Sequence, residues 1–356
     1  MEEIIHMSAF NLVKVEHLKE YRGGVDVPVA INFFNRVDTL EKMFSVIREV
    51  RPTKLFLIAD GPRKDVISDI EKTNSCRKIV EAVDWDCDLY HLYADVNQGL
   101  FVTYFDTMKL VFDVVDRCIF LEDDLVVSKS FFPYCKELLE KYENDMRIHF
   151  ITGFNAVGTY REPDGDYFFS GEGSIWGYAL WKRTFESMNL KFIENTYAVD
   201  CAKRLAVQRK KGYEKRIAKT VKNTMWEGHI PHVEFYKNLL RFTEGQMYIV
   251  PTKNMVCNIG FSGEGVHTAD NIHKLPRAIQ KLFNTKIYEY EFPLKDPQFM
   301  VCDLKYEHYV NKALAWNAPV VQFFRRVEAL FRHLRYGDFK RIMTKIKGIF
   351  IRDARL

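Results

Sequence analysis

A chain of 356 residues, 47% hydrophobic and 28% charged, can bury a large core without help from disulfides or structural metals. Its seven cysteines (76, 87, 118, 135, 201, 257 and 302) are scattered, with no CxxC pair or zinc-type Cys/His spacing, which argues against a disulfide scaffold or zinc module and fits a reducing cytoplasm. The net charge of +4 is concentrated at the end: residues 323–356 carry ten Lys/Arg against three Asp/Glu, so the remainder is mildly acidic. No nucleic-acid motif accompanies this basic tail, and nucleic acid is not an expected partner. No early segment has the pattern of a secretory leader, and no run approaches the ~18 apolar residues of a membrane span. The expected location is the cytoplasm.

In chain order, Val27 to Phe33 reads as a short buried strand after Gly23-Gly24, and Leu40, Met43, Phe44 and Ile47 follow at helical spacing. Leu55 to Ala59 is a second strand, completing a strand, helix, strand unit of the kind that makes neighbouring parallel strands. A third strand near Asp88 to Tyr93 leads to the turn Asn97-Gln98-Gly99-Leu100, which opens a helix around Phe101 to Val115. An apolar run then ends at Glu122. Phe131 to Tyr142 reads as a helix started by Ser130, and His149 to Gly153 as another strand. The alternation predicts an α/β fold with a mixed, mainly parallel, Rossmann-like sheet flanked by helices. From Val320 onward, apolar residues recur at helical spacing with Arg325, Arg326, Arg332 and Arg335 between them, predicting an amphipathic helical tail. Such a tail fits either an anionic membrane surface or a docked helix pair with a solvated basic face.

The chemistry-bearing candidates lie where strands end. Glu122, Asp123 and Asp124 are three adjacent carboxylates, costly to bury unless a cation or donors compensate them, and hard ions such as Mg2+ or Mn2+ prefer such oxygens while also holding phosphates. Asn35 and Arg36 follow the first strand, and Asp60, Gly61 and Arg63 the second. A guanidinium at one strand end can grip a diphosphate, and a carboxylate at the next can accept donors of a nucleoside. Ordinary loop chemistry is the competing reading of each residue taken singly.

Six collinear stretches, PVAINFFNR (28–36), LFLIADGP (55–62), Asn97 to Leu100, FLEDDLVVSKSFF (120–132), YFFSGEGSIWGYAL (167–180) and VCNIGFSGEGVHT (256–268), make the chain similar to nucleotide-sugar glycosyltransferases of the GT-A fold. It resembles most the N-acetylglucosaminyltransferase I group and its bacterial relatives. The resemblance implies that Asp124 binds Mn2+ or Mg2+ directly and that His267 approaches the metal or diphosphate. It further implies that Glu122 and Asp123 contact donor sugar and ribose, Arg36 the phosphates and Asp60 the uracil of a UDP-sugar. Asn35, Asn97 and Gly99 belong to the same expected donor site, and Trp176 is the sugar-contact candidate, with Trp181 read as a core residue on a helical run. Residues 27–318 would form the catalytic domain, with 27–153 binding the nucleotide sugar and 154–318 the acceptor. Residues 1–26 would be an extension and 319–356 the tail.

The resemblance also implies inversion by direct displacement, with one carboxylate taking the acceptor hydroxyl's proton. The family pattern there is an Asp-Asp pair flanked by tryptophans, whereas this chain offers Val233-Glu234-Phe235-Tyr236. Glu234 is the candidate base, with Glu227 and Glu172 as substitutes. The expected product is a glycan extended on a bacterial cell surface, the acceptor an oligosaccharide or lipid-linked glycan, and the enzyme peripheral at the inner face of the cell membrane. The rivals are a retaining transferase and a non-catalytic nucleotide-sugar-binding or membrane-recruiting protein.

Overall fold

The computed structural model describes residues 9–15, 23–161, 163–187, 244–260, 271–314, 319–339 and 342–343. The expected strand, helix, strand opening is present as β2 (Val29–Phe33), α1 (Val37–Val50) and β3 (Lys54–Ala59), after an edge strand β1 (Val13–Val15). Then come α2 (Ile67–Glu81), β4 (Asp88–Tyr93), α3 (Leu100–Phe112), β5 (Arg117–Glu122), β6 (Leu125–Val127), α4 (Phe131–Lys141) and β7 (Ile148–Thr152). The later part adds β8 (Tyr167–Ser170), β9 (Tyr178–Trp181), α5 (Lys182–Ser187), β10 (Met247–Pro251) and β11 (Val256–Asn258). A 3-10 turn (Ile272–Lys274), α6 (Arg277–Gln280), α7 (Leu304–Ala313) and α8 (Pro319–Arg335) close the described chain.

Among the described residues, nine strands form one mixed sheet in the order β1-β4-β3-β2-β5-β9-β7-β10-β8, and β6 pairs with β11 in a separate ribbon. The block β4-β3-β2-β5 is parallel throughout, while β9 joins both β5 and β7 antiparallel. Strand alternation gives the sheet two packed faces. Ile119 and Leu121 of β5 share one core with Leu40, Met43, Phe44 and Ile47 of α1 and with Phe131 and Phe132 of α4, whereas Cys118 and Phe120 share the other with Phe105, Met108 and Val111 of α3. The α1 quartet is at most 2% exposed, and burying a side chain of that size is worth about 1.5–3 kcal/mol. The first core also contains Leu282, Tyr290 and Leu294, so it runs across residues 153 and 154.

One expectation needs correcting. Trp181 is the core residue expected, but it ends strand β9 and does not lie on a helix; its Nε1–H donates to the Leu139 carbonyl at 3.0 Å. Ser130 precedes α4 as expected, without a side-chain cap bond of its own. The backbone N–H groups of Lys129 and Ser130 instead donate to the Glu289 carboxylate at 3.1 and 2.8 Å, and the Ser130 hydroxyl accepts from the Tyr290 N–H. For the tail, the membrane and docked readings differ in what the apolar stripe faces. On α8, Val320, Phe323, Phe324 and Phe331 are each at least 62% exposed. The helix is held by its polar edge: Arg332 pairs with Glu328 and donates to the His273 carbonyl, and the buried His333 meets Asp338 at 3.2 Å. No described helix is long and apolar enough to cross a membrane, and no described cysteine is in a disulfide.

Candidate functional site

Strands β2 and β5 are neighbours, yet the chain leaves β2 outward through β3 and β4 before returning to β5. The crevice beyond their carboxyl ends is therefore a topological switch point, where open α/β sheets bind ligands. Arg36 stands at one lip as the residue preceding α1, and the three acids stand at the other.

The strand's period of two splits the acid triplet. Glu122 follows the direction of Phe120 and lines a small cavity with Tyr104, Thr107 and Tyr178 on the α3 face. Asp123 and Asp124 lie beyond the strand, and both are buried. Asp123 Oδ2 accepts from the Phe34 backbone N–H at 3.0 Å, which ties the ends of β2 and β5 together. The Arg36 guanidinium makes a close ion pair with Asp124 and reaches Asp123 Oδ1 at 3.4 Å. Two buried carboxylates thus face one guanidinium. Burial, and then the Asp124 charge, push the Asp123 carboxyl up to about 7 against the opposing pull of Arg36.

The β6–β11 ribbon fixes Asp124 from behind. The Ile259 N–H donates to the Asp124 carbonyl at 2.8 Å, and Asn258 Nδ2 donates to Asp124 Oδ1 at 3.3 Å while its own Oδ1 accepts the Gly260 N–H at 2.9 Å. A Cβ on residue 260 would lie 2.1 Å from Asp124 Oδ2, so only glycine leaves the carboxylate its place.

Asp60, at the end of β3, has its acceptor directions filled from within. Oδ1 accepts the Gly61 and Gln98 N–H groups, each at 2.8 Å, and Oδ2 accepts Asn97 Nδ2 at 2.9 Å and the Gly99 N–H at 3.1 Å. A carboxylate offers about four such directions. Asp60 and Asn97 therefore hold the 97–99 turn, which Gly99 allows by adopting φ +82°. Burial raises the Asp60 carboxyl above its ordinary value despite these donors. Asn35 is likewise committed: its Nδ2 donates at 2.9 Å to Asp69 Oδ1, and Arg63 grips Asp69 through Nε at 2.6 Å and Nη2 at 2.9 Å.

Trp176 is half-buried, edge-on to Phe154 at 4.9 Å and tilted against Phe283 at 5.2 Å between ring centroids. Glu172 is buried just past β8, the outermost strand of the sheet, and its charge is felt by Tyr306. Glu227, Glu234 and His267 lie outside the described residues. Among the described residues no group of three His, Cys, Asp or Glu could hold an ion unaided. A hard divalent cation that takes one or two carboxylates and completes its shell with water and phosphate does fit Asp124 with Asp123 beside it. With one guanidinium for two carboxylates, a cation would favour the charged form of both.

Sequence reasoning did not single out Asn258, Gly260 or Asp69. The first two lie in the VCNIG stretch already noted, where a glycine just past an apolar run is a mark of close approach. Asp69 carried no signal, because the helix it stands in, α2, is not apparent in the sequence pattern.

No protein-family model matches the sequence, and no curated protein matches it significantly. Among solved structures, the chain is similar to mouse xyloside xylosyltransferase 1 in its apo form, at 10% identity and TM-score 0.34 over 64% of this chain and 85% of that one. It is also similar to the mannosyltransferase PcManGT from Pyrobaculum calidifontis in complex with GDP-Man and Mn2+, at 9% identity and TM-score 0.29 over 64% of this chain and 74% of that one. Likeness at this level carries no argument about activity.

Proposed function

We propose that this protein is a metal-dependent GT-A glycosyltransferase that moves a sugar from a UDP-sugar, with UDP-N-acetylglucosamine as first candidate, to a hydroxyl of a glycan acceptor. The observation that carries the reading is the buried Asp123–Asp124 pair facing Arg36 across the switch-point crevice. A nucleoside diphosphate bears charges that Arg36 suits, and an adjacent carboxylate pair suits the ion that such a ligand brings. Asp124 would hold Mn2+ or Mg2+, with His267 as second candidate ligand, and the ion would supply positive charge where the leaving diphosphate accumulates negative charge.

In the reaction the acceptor oxygen forms a bond to the anomeric carbon as the bond from that carbon to the phosphate oxygen breaks. The electron pair leaves with the diphosphate, which Arg36 would bind. The hydroxyl proton passes to a carboxylate, for which Glu234 is the candidate, and a single displacement inverts the anomeric centre. Asp60 and Asn97 enter this reading as holders of the 97–99 rim; Glu122 remains a candidate donor contact from the α3 side. A bacterial surface glycan, oligosaccharide or lipid-linked, is the proposed acceptor. The tail is proposed to rest on the anionic inner face of the membrane, a reading supported by the exposed stripe of α8 and its arginines.

The test is a calorimetric titration with UDP and a panel of UDP-sugars, with and without Mn2+, on the wild type and Asp124→Ala. Metal-dependent binding that the substitution abolishes is expected. Absence of binding to every uridine nucleotide overturns the donor assignment. Donor binding without turnover on any acceptor would favour the non-catalytic alternative.

A further inference from the structure

On the other side of the segment that braces Asp124 lies a second concavity, of about 1230 Å³, between α8 and the body of the protein. Its lining is basic and aromatic: Arg277, Lys281, Arg332 and Arg335 surround it with Phe331 and Tyr336, and Glu328 is the one acid in the lining. Glu328 is already engaged by Arg332 at 2.9 Å and by the Arg277 backbone N–H at 3.1 Å. No described carboxylate forms a salt bridge with Lys281 or Arg335. Among the described residues the cleft therefore carries more positive than negative charge, and the guanidinium and ammonium groups of Arg335 and Lys281 can donate to a phosphate.

Its position ties it to the carboxylate site. Leu282 and Thr285 line the cleft, while Phe283 between them pairs with Asn258 and the Asn284 N–H donates to the Asn258 carbonyl at 3.1 Å. Asn258 in turn donates to Asp124. The far wall is α8, whose apolar stripe continues from Phe331 along the exposed Phe324 and Phe323. A ligand seated here would meet cations at one end and an apolar track at the other.

We propose that this cleft is an acceptor-side subsite for a phosphate-bearing amphiphile, the diphosphate of a lipid-carried glycan, with the phosphates among Arg277, Lys281 and Arg335 and the lipid along α8. The word acceptor rests on the transferase reading above; the phosphate site does not.

The probe is geranyl diphosphate, titrated calorimetrically into the full chain without divalent ion, beside inorganic diphosphate and vesicles of phosphatidylglycerol. Geranyl diphosphate is expected to bind more tightly than inorganic diphosphate, and Phe331→Ser to narrow that difference. Lys281→Glu combined with Arg335→Glu is expected to weaken it by at least about tenfold. Both side chains are exposed, so the double variant keeps the fold, and its UDP titration with Mn2+ is expected to match the wild type. Unchanged geranyl diphosphate affinity in the double variant overturns the proposal, as does displacement of the probe by UDP. Charge-dependent vesicle binding without geranyl diphosphate binding also overturns it, in favour of a phospholipid headgroup site. If UDP fails to bind the wild type while geranyl diphosphate binds as expected, the transferase reading falls and the phosphate cleft stands.

Discussion

At residue 260 the packing leaves no latitude, because the position a Cβ would take is already filled by the Asp124 carboxylate. Gly260→Ala is expected to cost about 1–3 kcal/mol in urea denaturation, the usual range for overpacking, and to weaken metal-dependent UDP binding in the same protein. A variant that binds normally would show that Asp124 can move without consequence. Individual residues were unevenly legible. Asp123, Asp124 and Arg36 stood out as charges at strand ends, and the fold brings them together. Asp60 stood out for the same reason, but no sequence pattern shows that its oxygens are filled by Asn97, Gln98 and Gly99 from a turn 37 to 39 residues away. A strand-end carboxylate looks alike whether it receives a ligand or a turn.

Between elements, Asp69 joins the entry of α1 to the start of α2 through Asn35 and Arg63. Hydrogen bonding to Arg63 comes first among the influences that hold its carboxyl below the ordinary value. The sign follows from that depression: the stabilisation is present above the unfolded pKa of about 3.9 and is lost as pH falls through the lower folded value. Asp69→Asn is therefore expected to be less stable by about 1–3 kcal/mol at pH 7, with the deficit shrinking below about pH 4. Parallel urea series at the two pH values check it; a pH-independent deficit would point to packing instead. For α8, the expectation follows exposure. Phe323→Ser and Phe324→Ser should each change stability by no more than about 0.5 kcal/mol, since both rings already face solvent. A loss of several kcal/mol would mean that the stripe is docked. Helical spacing revealed the stripe but not what it faces, since periodicity is the same in either case. The run Tyr178 to Trp181 was ambiguous for a related reason: four apolar residues fit a strand or a helix turn equally well.

Across the whole molecule, the order β4-β3-β2-β5 decides where the site lies; its strands were legible as short apolar runs and α1 by its helical spacing, whereas α2 is too weakly patterned to show and the order itself is written nowhere in the sequence. Nor was the sheet beyond β5 legible. There β9, β7, β10 and β8 pair with partners far apart in sequence, as in β10 with β7 and β8, and nothing local records such pairings. Because the site joins several elements of the sheet, its ligand should stabilise the entire fold by mass action. With Mn2+ and UDP at about a hundred times the dissociation constant, the gain is expected to be about 2.7 kcal/mol, read as an upward shift in thermal unfolding. Asp124→Ala should abolish the shift; a shift of equal size in that variant would place the nucleotide elsewhere.

The contact between Arg36 and Asp124 has a consequence for the order in which ligands arrive. One guanidinium can satisfy that carboxylate or a diphosphate, but not both at full strength. Arg36 leaving Asp124 for phosphate uncovers a buried negative charge that then attracts a cation, and Asp124 paired with a cation releases Arg36 for phosphate. Metal and nucleotide would thus bind with positive cooperativity, each raising the affinity of the other by the same factor.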